Sequence, residues 1–311
     1  MKLIKDILDS NEESLKQAAS ILNKSSNIII SGVGDKYYAA QITQFLTDAF
    51  YNKNVRVIHS RIIINYTPEW LDENTTCIFY SESGTTTEVV NAIKLVHDKK
   101  CKVLLFTDRS KQVEGVDMQI IVQGGIQSII SNANTMFIYA MMEIGLEVTP
   151  LLTIQTIDLP WDILNLAKNI NLSKWSRDTA KKVKDLGINR FYFLGDGPRY
   201  PAAYIGAKLN KFESITMRSE GFEQIIPYDP KSAVVLLKPR ESQVSEQALY
   251  EYNNLKTYSR NAVIEIDPFR YMEPRGIGKK LDILLVPLYI VVLENLMNEL
   301  SKESAGTDSI P

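Results

Sequence analysis

Five hydroxyl side chains crowd around one glycine in the segment YSESGTTTEVV, residues 80–90. They belong to Ser81, Ser83 and the threonines at 85–87. An apolar strand-like run precedes the segment, and a helix-like run follows it. The first turn of a helix presents unsatisfied N–H groups and a partial positive charge, and Gly84 lets the backbone approach a ligand closely. Uncharged hydroxyl donors at such a place predict a pocket for a small anion, most naturally a phosphate.

A capping box is the alternative explanation for part of this cluster. Thr85 and Glu88 fit the S/T-x-x-E pattern, which needs no ligand. A cap explains one or two hydroxyls, but it does not explain five. Two other glycine loops, GVGDKYYAA at 32–40 and GDGPRYPAA at 195–203, lack the third glycine of a dinucleotide site, and the chain has no Walker motif. The sequence therefore predicts no nucleotide loop and no cofactor.

Short strand-like runs alternate with longer helical patterns in the first half, and this order must position the hydroxyl cluster. The runs lie at 27–31, 55–60, 75–80, 102–107 and 118–123. Such alternation predicts βαβ units and a parallel, doubly wound sheet. Ligands of these sheets bind outside the carboxyl ends of the strands, which is where the cluster falls.

The same order of elements starts again in the second half. RFYFLGDG at 190–197 echoes NIIISGVGDK at 27–36, and the runs ESITMRS, SAVVLLKP, NAVIEID and LDILLVP follow, before a long apolar helix. We interpret this as a duplicated α/β domain; two unrelated domains of a common fold are the alternative. The predicted organisation is a first domain at 1–150, a linker and bridging helix at 151–182, and a second domain at 183–311.

Composition limits the partners that we expect. The net charge of −2 and the absence of a basic patch argue against nucleic acid. No apolar run approaches the roughly 20 residues that span a bilayer, and the acidic, amphipathic start lacks a signal-peptide core. We therefore expect a cytoplasmic protein that does not bind membranes. Cys77 and Cys101 are expected to be buried free thiols, and without a metal-ligand motif we expect no metal site.

The segment SESGTTTE resembles the S-x-S-G-x-T signature of sugar isomerase (SIS) domains, which bind phosphosugars. The order of elements agrees over nearly the whole chain, and double-SIS proteins carry two such domains in tandem. The likeness is to the isomerase half of glucosamine-6-phosphate synthase and to archaeal relatives without the glutaminase half. The resemblance implies two flavodoxin-like, three-layer α/β/α domains, a homodimer, and one phosphosugar site per chain, mainly in the first half.

The resemblance assigns phosphate binding to the turn after the third strand-like run. The positions that match are Ser81, Glu82, Ser83, Gly84 and Thr86. Glu82 stands where the family often has glutamine, so it places a negative charge near the phosphate.

Two further loops are assigned to the ligand by the same resemblance. Asp35 and Lys36 stand where the first glycine loop of the family has small hydroxyl residues. Lys36 either offsets Glu82 and grips the phosphate or is a solvated lysine at a helix start. Ile130 and Asn132 match ligand-contacting positions of a third loop, in GGIQSIISNAN at 124–134.

The resemblance places the catalytic base on the first helix of the second half. That region reads GAKLNKFES, with one extra residue, so Glu213 is assigned as the base and Lys208 or Lys211 as the family lysine. Glu213 could instead be a surface carboxylate. The ring-opening histidine of the family has no counterpart in SEGFEQIIPYDP, where Glu220 or Glu223 could act only with a raised pKa.

The resemblance implies a metal-free aldose–ketose isomerase of hexose or hexosamine 6-phosphates. We expect it to lack the glutaminase half and the C-terminal lysine of the family. Deamination of glucosamine 6-phosphate uses similar proton transfers and is the alternative reaction. A non-catalytic phosphosugar sensor, which kept the pocket and lost the histidine, is an alternative of another class.

Overall fold

Two compact units, Met1–Pro160 and Trp161–Pro311, make up the chain. The structure is a computed structural model and describes residues 4–147, 149–218, 229–239, 246–258, 261–272 and 283–305. Each unit is built on a parallel β-sheet with helices. The predicted α/β class with two parallel sheets is confirmed.

The first unit contains a five-stranded sheet in the order β2-β1-β3-β4-β5, with every neighbouring pair parallel. Its elements are α1 (Ile4–Lys24), β1 (Asn27–Gly32), α2 (Asp35–Phe50), β2 (Asn54–Val57), α3 (Ser60–Asn65), β3 (Thr75–Tyr80), α4 (Thr87–Asp98), β4 (Lys102–Thr107), β5 (Met118–Ile121) and α5 (Gly125–Glu143). Every residue of β3 is buried, as expected for a central parallel strand that is covered on both faces.

The second unit has a four-stranded parallel sheet in the order β7-β6-β8-β9. The remaining elements are α6 (Thr149–Ala167), which contains the boundary between the units, α7 (Ile170–Asp185), β6 (Arg190–Gly195), α8 (Arg199–Leu209), β7 (Glu213–Arg218), β8 (Ser232–Leu237), α9 (Glu246–Tyr258), β9 (Ala262–Ile266), a short 3-10 helix (Pro268–Arg270) and α10 (Val286–Ala305). The order of these four strands repeats that of β2-β1-β3-β4.

Two predicted elements differ from the structure. The proline-containing start of the predicted linker is helical, because α6 continues through Pro160. The run LDILLVP is not the predicted strand where it is described: residues 283–285 form a 3-10 turn and α10 begins at Val286. Residues 281 and 282 lie outside the described part of the chain.

The apolar core explains how the helices hold the sheets. Val89, Ile93 and Val96 form the predicted buried stripe of α4. Cys77 and Cys101 are buried in the same cluster and carry free thiols, as predicted.

One helix in the described residues, Ile283–Lys302, is long and apolar enough to cross a membrane by length and composition. The statement of the sequence analysis that no apolar run approaches this length was therefore wrong. Of the apolar stretch of this helix, 72% is buried inside the fold, as is also typical of a helix in a protein core.

Candidate functional site

The turn between β3 and α4 lies at the carboxyl edge of the first sheet. The N–H of Ser81 donates to the carbonyl of Phe106 (3.0 Å), so the pairing with β4 continues one residue beyond β3. Gly84 has a φ of 61°, and a Cβ built on it would lie 3.0 Å from the Thr107 Oγ1 atom. Both the left-handed backbone and the close packing therefore require glycine at this position.

The end of β4 fixes this turn from the other side. The carbonyl of Glu82 accepts hydrogen bonds from the Thr107 hydroxyl (2.9 Å) and from the N–H of Asp108 (2.8 Å). Within the turn, the Ser83 hydroxyl accepts a hydrogen bond from the N–H of Thr85 (3.2 Å). The shape of the turn is thus set by the fold itself.

The hydroxyl groups of the turn surround the start of α4. Thr86 is the N-cap residue, and its Oγ1 lies 3.5 Å from the Oγ of the buried Ser81. The capping-box explanation is wrong in this described segment, because the Thr85 hydroxyl contacts Ser83 (3.1 Å) and the Glu88 carboxylate pairs with an arginine (2.7 Å). The N–H groups of the first turn of α4 are the donors that the sequence analysis predicted to face an anion.

Lys36 brings the first glycine loop to this turn. Its ammonium lies 2.7 Å from the Glu82 carboxylate and 3.0 Å from that of Asp35, and only 16% of its side chain is exposed. Burial lowers the pKa of Lys36, but hydrogen bonds and charge attraction from Glu82 and Asp35 outweigh it and raise the pKa overall. Lys36 is therefore charged at neutral pH, and the alternative of a solvated lysine is wrong.

Asp108 is a residue of this edge that the sequence analysis missed. It follows β4 directly, and its Oδ1 atom is buried without a hydrogen-bond partner in the described part of the chain. Burial raises the pKa of Asp108, and the nearby Glu82 raises it further, while Lys36 opposes the shift. A carboxyl group with a raised pKa beside the predicted anion pocket is a candidate proton carrier. Its position at the end of a strand-like run was the available signal.

His59 also lies at this edge, two residues after β2. Its ring packs edge-on against Tyr37, with ring centroids 5.1 Å apart. The N–H of Arg61 donates to His59 Nδ1 (3.2 Å), so the proton of a neutral imidazole is on Nε2. Burial and the charge of Arg61 lower the pKa of His59, although Glu88 opposes them. His59 does not match the position of the ring-opening histidine of the family.

Ile130 and Asn132 lie inside α5 and not in a loop. Both are fully buried. The Asn132 side chain donates to the carbonyl of Ser128 (2.9 Å) and accepts from the side chain of Asn11 (3.0 Å). The prediction of a ligand loop over 124–134 is therefore wrong from Gly125 onward, because α5 starts there and packs its polar groups against α1.

Glu213 is not at the end of a helix, as the resemblance implied. It is the first residue of the edge strand β7, its side chain is 57% exposed, and its carboxylate lies 2.9 Å from Arg190 Nε. Lys208 lies in the last turn of α8, and Lys211 lies between α8 and β7. All three occupy the amino edge of the second sheet, whereas such sheets bind ligands at the carboxyl edge. Glu220 and Glu223 lie outside the described residues.

No group of three or more histidine, cysteine, aspartate or glutamate side chains is placed to hold a metal ion in the described residues. At the carboxyl edge of the first sheet, the loops after β1 to β4 carry the titratable groups described above. A reaction built from these groups alone is acid–base chemistry on a bound anion.

Comparison with known proteins finds a family match within the first unit. Residues 21–145 match the sequence profile of the SIS domain. The glutamine–fructose-6-phosphate aminotransferase (isomerizing) of Pyrococcus horikoshii is 27% identical over 228 residues, which are 66% of this chain and 36% of that enzyme. The enzyme of the same name from Thermococcus kodakarensis is 26% identical over 185 residues. The chain thus spans about a third of the length of these relatives.

Solved structures share the fold over nearly the whole chain. A candidate phosphosugar isomerase from Salmonella typhimurium LT2 has a TM-score of 0.77 and 17% identity, with 97% of this chain and 93% of that chain covered. The C-terminal domain of glucosamine-fructose-6-phosphate aminotransferase from Francisella tularensis has a TM-score of 0.72 and 11% identity, with 98% and 96% covered. Residues 21–145 are thus similar to SIS domains, and the chain is similar to part of the glutamine–fructose-6-phosphate aminotransferases.

Proposed function

We propose that this chain binds a hexosamine or hexose 6-phosphate at the carboxyl edge of its first sheet and isomerises it between aldose and ketose. The observation that carries the proposal is the preformed turn at 81–86, closed on one side by Lys36. The relatives named as isomerizing aminotransferases support the substrate class. We further propose that the second unit is a second SIS domain and that the protein is a homodimer.

The phosphate occupies the hydroxyl-rich start of α4 in this proposal. The hydroxyls of Ser81, Ser83 and Thr86 and the N–H groups of the first helical turn donate to its oxygens. Lys36 supplies the positive charge. Glu82, which now holds Lys36, turns to a hydroxyl or ammonium group of the sugar when the phosphate arrives.

The balance of charge at this edge favours an amino sugar. Asp35, Glu82 and Asp108 carry three negative charges, and Lys36 and Arg109 carry two positive charges. A surplus of one negative charge opposes a phosphate dianion and attracts the ammonium group at C2 of a hexosamine. Deamination of glucosamine 6-phosphate, the alternative reaction, is favoured by the same observation.

Asp108 is our choice for the base that takes a proton from C2 of the open-chain sugar and returns it to C1. Its raised pKa places it nearer to neutrality than an ordinary aspartate. His59, neutral at pH 7, is the group at this edge suited to ring opening. The role of Glu213 as base stays a prediction of the sequence, and its ion pair at the opposite edge of its sheet counts against it.

Titration calorimetry with glucosamine 6-phosphate and glucose 6-phosphate tests this proposal. The two sugars differ only in the group at C2, so the comparison isolates the ammonium. We expect glucosamine 6-phosphate to bind more tightly, and we expect added salt to reduce the difference because the attraction is electrostatic. The proposal is wrong if neither sugar binds. Binding without turnover would show that the protein is a sensor.

A further inference from the structure

The loop after β4 brings a second cation to the turn at 81–86. A Cβ built on Gly84 would lie 3.3 Å from the Cδ atom of Arg109, the carbon to which the guanidinium group is bonded. Because Gly84 has no side chain, the stem of Arg109 packs close to the backbone of the turn, where Arg109 is half-buried. The charge of Arg109 therefore lies near the hydroxyl groups that we assign to the phosphate.

The backbone of Arg109 is held on both sides by neighbouring elements. Its N–H donates to the Thr107 hydroxyl (3.2 Å), which in turn donates to the carbonyl of Glu82 (2.9 Å). On the other side, the Gln119 side chain of β5 donates to the carbonyl of Arg109 and to that of Lys111 (3.3 Å). The backbone position of Arg109 beside the turn is thus set by the fold before any ligand binds.

Arg109 differs from Lys36 and Arg61 in its charge partners. The ammonium of Lys36 lies within 3.0 Å of two carboxylates, and a guanidinium nitrogen of Arg61 lies 2.7 Å from one. Arg109 forms no ion pair with the residues that the structure describes. An anion that reaches this edge must compete with carboxylates for Lys36, whereas it can bind Arg109 without displacing one.

We propose that Arg109 is a phosphate-binding residue of the site at 81–86. This inference rests on the phosphate site of the proposed function and adds to it a residue outside the hydroxyl signature. Arginine donates two parallel hydrogen bonds to phosphate oxygens, which neither a hydroxyl nor the ammonium of Lys36 can do. Arg109 binds the phosphate in this way, and Lys36 adds its charge only as far as Glu82 releases it.

The contact between Arg109 and the turn follows from the topology of the sheet. Strands β3 and β4 are parallel neighbours, and Tyr80 is paired with Phe106 near their carboxyl ends. The loops that follow the two strands therefore leave the sheet side by side, at the edge where ligands of such sheets bind. A signature that lies within one loop does not include a residue of the next loop, so the resemblance did not assign Arg109 to the phosphate.

Titration calorimetry with fructose 6-phosphate and with inorganic phosphate tests this role. We expect Arg109→Gln to weaken the binding of both at least tenfold, because it removes the charge and the paired donors. Arg109→Lys keeps the charge but not the paired donors, so it should recover only part of the lost affinity. Thermal melts that match wild type would show that both variants are folded.

Lys111→Gln is the matched control. Lys111 is an exposed cation of the same loop, and its carbonyl accepts a hydrogen bond from the same Gln119 side chain. Its replacement removes the same charge from the protein, but we expect the affinity to change less than twofold. A loss as large as that of Arg109→Gln would show that the effect comes from net charge alone, and the inference would be wrong.

The remaining outcomes separate this role from the proposed function. If wild type binds fructose 6-phosphate and Arg109→Gln binds it equally well, the inference is wrong and the proposed function stands. If wild type binds inorganic phosphate through Arg109 but binds no hexose or hexosamine 6-phosphate, the inference stands and the proposed function is wrong. If wild type binds neither probe, both are wrong.

Discussion

The ammonium of Lys36 lies 2.7 Å from the carboxylate of Glu82, across two separate loops of the first sheet. Asp35 holds the same ammonium at 3.0 Å. The cation of the candidate phosphate site is therefore already matched by carboxylates before any ligand is present. A phosphate group must compete with Glu82 for Lys36, so the affinity of the site depends on the charge at position 82.

Glu82→Gln should strengthen the binding of fructose 6-phosphate, which carries no ammonium to attract the carboxylate. The change removes one negative charge near the phosphate and releases Lys36, and we expect about a tenfold lower Kd, which corresponds to about 1.4 kcal/mol. Calorimetry measures this directly. Glu88→Gln is the control, since Glu88 pairs with Arg61. Weaker binding by Glu82→Gln would contradict this prediction and would show that the contact of Glu82 with a sugar hydroxyl outweighs its repulsion of the phosphate.

Replacement of Ser83 and Thr86 by alanine should weaken the binding of glucosamine 6-phosphate at least tenfold. Each hydroxyl donates to an anion, and such a bond contributes about 1.5–3 kcal/mol. Because the Thr85 hydroxyl contacts Ser83 within the same turn and is not assigned to the phosphate, the single variant Thr85→Ala serves as a control for the loss of a hydroxyl from the turn. Affinity that does not change in the folded double variant would place the phosphate elsewhere.

Asp108→Asn should stabilise the protein at pH 7. The folded state raises the pKa of Asp108, so the stability that this carboxyl contributes is present at low pH and is lost as the pH rises through its folded pKa. Asparagine does not ionise and avoids this loss. We expect a rise in Tm on the order of 2 °C at pH 7.

The difference in Tm between Asp108→Asn and wild type should shrink as the pH falls toward about 4, near the pKa of an aspartate in an unfolded chain. Calorimetric melts between pH 4 and pH 7 measure it. A difference that grows toward low pH would mean that the carboxylate is stabilised in the folded state, and Asp108 would then be an unsuitable base.

Proton exchange at C2 of glucosamine 6-phosphate in heavy water, followed by NMR, separates the two candidate bases. Removal of a general base typically lowers the rate by about 10²–10⁴-fold with little change in binding. We expect that loss for Asp108→Asn and a rate near that of wild type for Glu213→Gln. The reverse pattern would restore Glu213 as the base. No exchange in wild type, with the sugar bound, would identify a sensor.

The sequence predicted the central strands best. The runs at 75–80 and 102–107 coincide with β3 and β4, because buried parallel strands are continuous apolar runs with polar ends. The run LDILLVP was misassigned because a short apolar run does not distinguish a strand from the approach to a buried helix such as α10. The helical course of α6 through Pro160 was missed because proline usually marks a break in a helix, and here it does not.

The site was predictable only in part. The cluster from Ser81 to Thr86 and the pairing of Lys36 with Glu82 could be predicted, because these residues closely follow strand ends in the sequence. The resemblance placed Glu213 on the first helix of the second half, whereas Glu213 is the first residue of strand β7. For Asp108 the sequence offered only its position at a strand end, because the burial of a single carboxylate oxygen depends on tertiary packing.

The double hydrogen bond that the Glu82 carbonyl accepts from Thr107 and Asp108 has a consequence for kinetics. A turn that is fastened to the adjacent strand loses its conformational freedom when the chain folds, not when the sugar arrives. Ligand association at 81–86 then involves no slow rearrangement of backbone, and a single exponential whose rate rises linearly with sugar concentration is its signature. Amide hydrogen exchange at Ser81 and Gly84 should accordingly be slow even without a sugar. Because association is the same for each sugar, selectivity between sugars is expressed in their dissociation rates.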